Sequence, residues 1–514
     1  MDTKRLLQVQ SERGAKASNT ESSRKSIEFV VNDCRRFIQE NSDKYRDVNS
    51  ETKKNTIKAL IVEFVMHTNY IIEGYTDDNH VTDTNKLIDK LTDDITDYGI
   101  LTQAMVDPEV FEIRCNGKEL KAEIGGRVTD LKDKEGHILS FDNPEQQDIV
   151  MRKLLGDVRL TPKDAVVNAR TVEGFRIAAV HSSALSPDPN EPTADLYHAF
   201  VLRKFKKSKM DLGQIVKFGT LSDNMARLLA LATAGGLTFF TVGPTASGKT
   251  TTNNAILQSM PATTRTVLLQ NPSEIDLRFK DPAGRVYNDV LHLEAREIEN
   301  PTPTDPTMPN LMAHILRLSP TFVCFGELRT NPEFKLGLQI AQAGHPMNCT
   351  FHAESSKGAV QRFLTAYLAE SGNEPSHLAL ATLTDLVRLI IVQKIMRDGS
   401  RRILQISEVV GVKEDNPNAP DINDLYKFVI DKEPDYDAAG NVTKIYGHHQ
   451  RVGKLSDRII EKLKTEGVAT TRFDYLLGEV NPDEKETYTG ENIETYGMNI
   501  TETKENNGLK LDPM

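Results

Sequence analysis

Cysteine is scarce in this 514-residue chain: Cys34, Cys115, Cys324 and Cys349 stand far apart, and no CxxC pair occurs. That spacing argues against a disulfide framework or a zinc ribbon and points to a reducing compartment. The opening MDTKRLLQVQSERGAKAS carries charge but no apolar run, so no cleaved secretory signal is expected. Base is not in excess: 74 acidic residues against 63 basic ones leave a net charge of -11. Such a balance argues against coating duplex nucleic acid, although it leaves room for a local basic groove. Apolar residues amount to only 38%, which suggests a folded centre with polar ends. No internal repeat is evident.

Long hydrophobic runs are missing as well, with one apparent exception. Between Arg227 and Lys249 lie 21 uncharged residues, LLALATAGGLTFFTVGPTASG, enough on paper to cross a bilayer. Gly235-Gly236 breaks the stretch, Pro244 and Gly248 punctuate its end, and threonines dilute it. It reads as a buried helix, a tight turn, a short core strand Leu237 to Val242 and a glycine loop. No membrane span is expected, and the chain reads as soluble.

At about 150 residues per domain the length predicts roughly three domains. Residues 1–50 are a polar, partly disordered segment with one amphipathic piece around Ile27 to Ile38. Residues 51–97 form a helical region: Ile57, Leu60, Ile61, Phe64 and Val65, then Leu87, Ile88, Leu91 and Ile95, recur at three and four. From 98 to 210 the alternation in VFEIRCNG, LKAEIGGRV and GFRIAAV predicts strands of a mixed α/β domain. A linker spans 211–221. From 222 to 470 the short apolar runs LTFFTV, RTVLL, TFVCF and MNCTF alternate with helical patterns, the signature of a parallel sheet with crossover helices. Residues 471–514 read as an acidic polar tail, mostly disordered.

The strongest motif is Gly243, Pro244, Thr245, Ala246, Ser247, Gly248, Lys249, Thr250, which fits GxxxxGK[ST] after an apolar strand and before a helix that Thr251 opens. Glycines let backbone N–H groups turn inward around phosphate, and the helix N-terminus adds partial positive charge. Lys249 is expected to reach the β- and γ-phosphate oxygens of ATP and Thr250 to ligate Mg²⁺. Hydrolysis needs a carboxylate beside the metal and water. Glu327, at the C-terminal end of the run Phe322 to Phe325, is the candidate, as base or as a Mg²⁺ partner through water. His345 and His352 fit no compact metal spacing. From the residues alone they are interior histidines or donors to the γ-phosphate.

GPTASGKTT, FGELRTNPEF, AGHPMNCTFHAES and RDGSRRILQISEVVGV together resemble the secretion and pilus-assembly ATPases. These include type II secretion motors, type IV pilus motors and VirB-type ATPases. Within them VQKIMRDGSRRILQISEVVGV and DAAGNVTKIYGHHQRVGKL look most like the CpaF branch of Tad pili. The likeness runs from about Tyr98 to Val468. It implies a RecA-like P-loop domain preceded by a mixed α/β, PAS-like domain. It also implies homo-hexameric rings, with ATP bound between the two domains. Gly243 to Thr250 becomes the Walker A loop and Glu327 the catalytic glutamate ending Walker B. His345 and His352 fall in a His box, and Arg176, Arg203, Arg296 and Arg317 stand where the family carries arginines that contact nucleotide. One departure is clear: Gln270-Asn271 replace the two acids of the family's Asp box, leaving Glu274. An amide positions water but brings no charge. A slow ATPase is therefore expected, with Gln270→Glu raising turnover and Glu327→Gln abolishing it.

The leading expectation is a cytoplasmic motor, peripheral at the inner face of the membrane. It docks on an integral platform protein and powers pilus assembly, secretion or conjugative transfer. A nucleic-acid translocase, supported by the basic cluster Arg203 to Lys207, is the second reading. A nucleotide-gated assembly subunit with negligible turnover is the third.

Overall fold

The computed structural model describes residues 24–41, 50–68, 70–77, 81–124, 127–156, 158–186, 196–204, 210–271, 273–281, 283–296, 298, 301–481, 484–491, 493, 500–501 and 510–511. Two compact units emerge, 1–207 and 208–514. The helical region and the mixed domain, expected as separate domains, thus share one unit.

The first unit opens with α1 (Ile27–Glu40), α2 (Ser50–His67) and α3 (Thr84–Thr96). Their buried residues follow the predicted helical spacing: Val30, Cys34 and Ile38, then Ile57, Leu60, Ile61 and Phe64, then Leu87, Leu91 and Ile95. Val172, from a loop of the mixed domain, is buried in the same cluster, which ties bundle and sheet together. After α4 (Thr102–Val106) come β1 (Val110–Asn116), β2 (Glu119–Ile124), β3 (Arg127–Asp130), α5 (Pro144–Leu155), β4 (Val166–Arg170), β5 (Arg176–Val180) and β6 (Ala199–Arg203). The six strands form one antiparallel sheet in the order β3-β2-β1-β6-β5-β4. Period-two alternation turns Ile113, Cys115, Ile177, Ala179, Phe200 and Leu202 inward, into one cluster with Val150 and Leu154 of α5.

The second unit contains α6 (Leu212–Lys217), α7 (Asp223–Ala234), β7 (Phe239–Val242), α8 (Lys249–Leu257), β8 (Thr266–Gln270) and β9 (Val290–Glu294). It continues with α9 (Met308–Ile315), β10 (Phe322–Phe325), α10 (Asn331–Gln342), β11 (Met347–Phe351), α11 (Ser356–Ser371) and α12 (Ser376–Leu386). It ends with β12 (Leu389–Ile395), β13 (Arg401–Lys413), β14 (Asn416–Tyr436), β15 (Val442–Arg451) and α13 (Asp457–Thr465). A further short pairing joins β16 (Ile500–Thr501) to β17 (Lys510–Leu511).

The nine-stranded sheet runs β15-β14-β13-β12-β7-β11-β10-β8-β9. From β12 to β9 every pair is parallel, giving a parallel α/β sheet covered by helices on both faces. Strands β7, β8, β10 and β11 are buried at every residue, as parallel strands with helices on both faces require. One face is sealed by α7, α8 and α13, the other by α10, α11 and α12. On the second face Phe240 stacks on Phe363 at 5.1 Å, and Phe334 meets Phe363 edge-on at 5.0 Å.

Two features depart from expectation. β13, β14 and β15 extend the sheet with antiparallel pairs, where only parallel strands were predicted. The outermost strand, β15, has two of its amides covered by side chains: Ile445 N–H donates to Asp398 and His449 N–H to the Tyr488 hydroxyl, each at 2.8 Å. The stretch after 470, expected as a disordered tail, instead buries Phe473 and Leu476 in the core and sets residues 484–491 against the domain. Its acidic composition hid two large apolar residues and a set of hydrogen-bonding threonines. Among the described residues no helix is long and apolar enough to cross a membrane. The uncharged run 228–248 resolves into the end of α7, a Gly235-Gly236 turn, β7 and the glycine loop.

Candidate active site

β7 delivers the Gly243–Gly248 loop to the C-terminal edge of the sheet, and α8 begins at Lys249 directly after it. Such an edge is where open parallel sheets bind ligands. Gly248 caps α8 with φ of 90°, and Ala246 takes φ of 62°; left-handed residues alternating with ordinary ones turn successive N–H groups inward as an anion-binding concavity. Steric crowding fixes the glycines. A Cβ on Gly243 would lie 1.9 Å from the Gln393 carbonyl oxygen, and one on Gly248 would lie 2.8 Å from Cδ of Arg401. The β12–β13 hairpin therefore presses directly on the loop.

Lys249 is almost fully buried, and its Nζ donates to the carbonyl oxygens of Gly243 and Pro244 at 3.0 and 2.9 Å. Pro244, Thr245 and Ala246 are exposed at the loop crest, Ser247 is buried, and Thr250 and Thr251 are half-buried on the first turn of α8. Behind the loop, Asn253 of α8 donates to Asn348 of β11 at 2.7 Å and meets the Thr241 hydroxyl at 3.2 Å. This buried amide pair locks the loop's helix to the strand that carries His352.

Glu327 follows β10, two strands from β7, or roughly 10 Å at the usual interstrand spacing. His352 spans that gap. Its Nδ1 lies 3.1 Å from the Gly243 carbonyl oxygen, and its Nε2 lies 3.3 Å from Glu327 Oε1. Both facing atoms are acceptors, so a neutral ring donates to one of them and only the doubly protonated ring donates to both. The other carboxylate oxygen of Glu327 receives Arg329 Nε at 2.7 Å. Thr350 Oγ1 donates to the Gly326 carbonyl at 2.7 Å, holding the end of β10 against β11. Loop, histidine and carboxylate thus stand within hydrogen-bonding distance of one another in a single line.

The other predicted residues divide. Glu274 is exposed on the loop after β8, at the same edge. Arg296 is exposed just beyond β9, at that edge but four strands from β7. His345 precedes β11 and so lies at the opposite edge, about 20 Å from His352 along an extended strand. Arg317, in the turn before β10, is at that far edge too, with Nη1 on Ala313 O at 3.4 Å. His345 and Arg317 are therefore not brought to the loop within this chain. Arg176 and Arg203 are register partners on β5 and β6 of the first unit.

Gln270 differs from expectation in a way that bears on chemistry. It is buried, and its Oε1 accepts from Glu274 N at 2.9 Å and Ile275 N at 2.7 Å. Its Nε2 donates to Ile275 O at 2.9 Å and Ser273 Oγ at 3.2 Å. The amide folds the loop after β8 and is not presented to solvent as a water-holding group. Beside it, Glu294 ends β9 and accepts from Ser273 N at 3.1 Å. Sequence reasoning missed Arg329, Gln393 and Arg401. Arg329 carried a signal, since two residues past Glu327 in an extended segment places it on the same side. Gln393 and Arg401 carried none, because only strand pairing brings them to the loop.

The oxygen-only set of Thr250 and Glu327 suits a hard divalent cation such as Mg²⁺. The family model for type II/IV secretion system proteins matches residues 131–424. The chain belongs to that family. This family member is 26% identical over 274 residues to an uncharacterised protein of Methanocaldococcus jannaschii, covering 53% of this chain and 44% of the other. It is 28% identical over 245 residues to the type II secretion system ATPase E of Vibrio cholerae, covering 47% and 42%. The chain spans about half the length of the curated relatives it matches. Among solved structures it is similar to the Legionella pneumophila ATPase DotB, with TM-score 0.43 and 19% identity, covering 60% of this chain and 81% of that one.

Proposed function

We propose that the second unit binds Mg-ATP at the Gly243–Thr250 loop and hydrolyses it with Glu327 as general base. The observation that carries this reading is the His352 bridge from the loop's own carbonyl to the Glu327 carboxylate. Lys249, already over the loop mouth, exchanges its two carbonyl acceptors for β- and γ-phosphate oxygens. The loop amides and the positive end of α8 offset charge on the phosphates. Glu327 takes the proton of the attacking water as the oxygen closes on the γ-phosphorus and ADP leaves with the bridging oxygen's electrons. His352 and Arg329 hold the carboxylate in place. Thr250, and Glu327 through water, would hold Mg²⁺, which would supply charge neutralisation to the phosphates.

The assignment extends to a slow, homo-hexameric motor of the CpaF-like branch. It would dock on an integral membrane platform from the cytoplasmic side and drive pilus assembly or secretion. Arg176, Arg203 and Arg296 are proposed as phosphate contacts, and His345 and Arg317 as residues acting outside the loop. A nucleotide-gated subunit is favoured by one observation only: the base is already paired on both oxygens. For the nucleic-acid reading, Lys206 and Lys207 of its basic cluster lie outside the described residues.

Phosphate release by the purified full chain separates these. Lys249→Ala is expected to abolish nucleotide binding, whereas Glu327→Gln retains binding and loses at least about 100-fold in turnover. Equal turnover in wild type and Glu327→Gln would remove Glu327 as base. Turnover that rises only with DNA, with salt-sensitive binding, would favour the translocase.

A further inference from the structure

Residues 484–491 lie beyond the family match, and a dense set of contacts holds them to the nucleotide-proposed unit. Asp223, the first residue of α7, is the anchor. One carboxylate oxygen accepts from Thr487 Oγ1 at 2.6 Å, Thr489 N at 2.9 Å and Thr489 Oγ1 at 3.1 Å, and the other from Gly490 N at 2.8 Å. Asp223 N–H in turn donates to Thr487 O at 2.9 Å. Burial works against the Asp223 charge, yet these donors outweigh it and hold its carboxyl below the usual range.

The segment also crosses α6 backbone to backbone. A Cβ on Gly490 would stand 2.3 Å from the Gly213 carbonyl oxygen, one on Gly213 would stand 2.6 Å from the Gly490 carbonyl oxygen, and Gly490 has φ of +64°. Only glycine at both positions permits this approach. Just upstream, Arg451 at the end of β15 donates to the carbonyls of Tyr475, Leu476 and Gly478 at 2.6, 3.0 and 2.6 Å. The chain entering the segment is therefore fastened too.

The contact that reaches inward is Tyr488. Its hydroxyl accepts from His449 N and donates to His449 Nδ1 at 2.9 Å. His449 is fully buried, and its Nε2 donates to the Ile403 carbonyl at 2.9 Å. Ile403 sits in β13, two residues from Arg401, whose side chain packs on Gly248. Ile403 N–H is bonded to Thr220 O at 2.8 Å, and Arg402 Nη1 to Phe218 O at 2.8 Å. A single run of contacts thus joins Tyr488 to the glycine loop through a histidine and one strand.

We propose that residues 484–491 form a latch whose docking steadies β13 against the Gly243–Thr250 loop, so that latch closure and nucleotide binding strengthen each other. The idea rests on the nucleotide reading of the loop. Linkage makes it reciprocal: whatever factor the latch adds to nucleotide affinity, nucleotide adds to latch closure.

The test uses the full chain with Mg-ADP. Hydrogen exchange at the Thr489 and Gly490 amides is expected to slow at saturation, and Gly490→Ala to weaken ADP binding at least about fivefold. Tyr488→Phe, which keeps the ring and removes the hydroxyl, is expected to act in the same direction and stands in if Gly490→Ala does not fold. Exchange at 484–491 that ignores ADP overturns the latch, as does a variant with a freed segment and unchanged ADP affinity. A wild-type chain that binds no ADP overturns the nucleotide reading and the latch together. Binding by wild type that both variants match overturns the latch alone.

Discussion

Replacing Gln270 by glutamate distinguishes an amide that folds a loop from an amide standing in for a missing acid. The two groups are isosteric, so packing is unchanged and only donors and charge differ. The carboxylate still accepts from Glu274 N and Ile275 N, but it has nothing to donate to Ile275 O or Ser273 Oγ. A buried carbonyl that loses its donor costs roughly 1–3 kcal/mol. A carboxylate pressed against that carbonyl adds desolvation and repulsion, or must take up a proton and recover one donor of two. The sum is about 3 kcal/mol, equivalent to a fall of roughly 5–10 °C in the unfolding midpoint of a domain this size. Circular dichroism during heating measures the midpoint, and phosphate release at a temperature well below it measures turnover. The expected result is a less stable protein with turnover no higher than wild type, the reverse of the gain that sequence alone predicted. An unchanged midpoint together with faster turnover would refute the reasoning and return position 270 to the chemistry.

Two further outcomes follow from packing and titration. Gly243→Ala is expected to lose nucleotide binding in a titration with labelled ADP, because its Cβ would stand 1.9 Å from Gln393 O; affinity within twofold of wild type would contradict that crowding. Burial pushes His449 down to about 3, so the unfolded chain binds a proton there that the folded one refuses. Stability is full above the ordinary value near 6.5 and is lost as pH falls from there toward 3. Between pH 7.5 and 5 the loss is about 2 kcal/mol. Urea midpoints at the two pH values check this: His449→Gln should remove that part of the acid sensitivity, and equal losses in both proteins would disprove it.

What was legible in the sequence is what local pattern encodes. Spacing of three and four located α2 and α3, and alternation located β1 and β5. The uniform apolar runs FFTV, TVLL, FVCF and MNCTF located β7, β8, β10 and β11, because strands covered on both faces leave no room for polar alternation. Glu327 was readable for the same reason, as the first acid past such a run. Pairing across the chain was not readable. Nothing in RDGSRRIL announces that Arg401 packs on Gly248, and His345 and His352 look alike in sequence although the strand between them sends them to opposite edges. The polar stretch after 470 misled for a physical reason: two buried apolar residues, Phe473 and Leu476, are diluted in it, and residues 487–490 are held by threonine and backbone donors to Asp223, which composition scores as solvent-loving.

The covering of β15 has a consequence for solubility. An outer strand with free amides is a template for a further strand, including one from a second molecule. Here one amide is occupied by Asp398 and another by Tyr488, so no backbone acceptor can pair at those positions while both side chains stay in place. Protection at Asp398 is built into the β12–β13 hairpin, but protection at Tyr488 lasts only as long as its segment remains seated. A chain cleaved before residue 484 would keep its core and gain an adhesive margin at one end of its sheet.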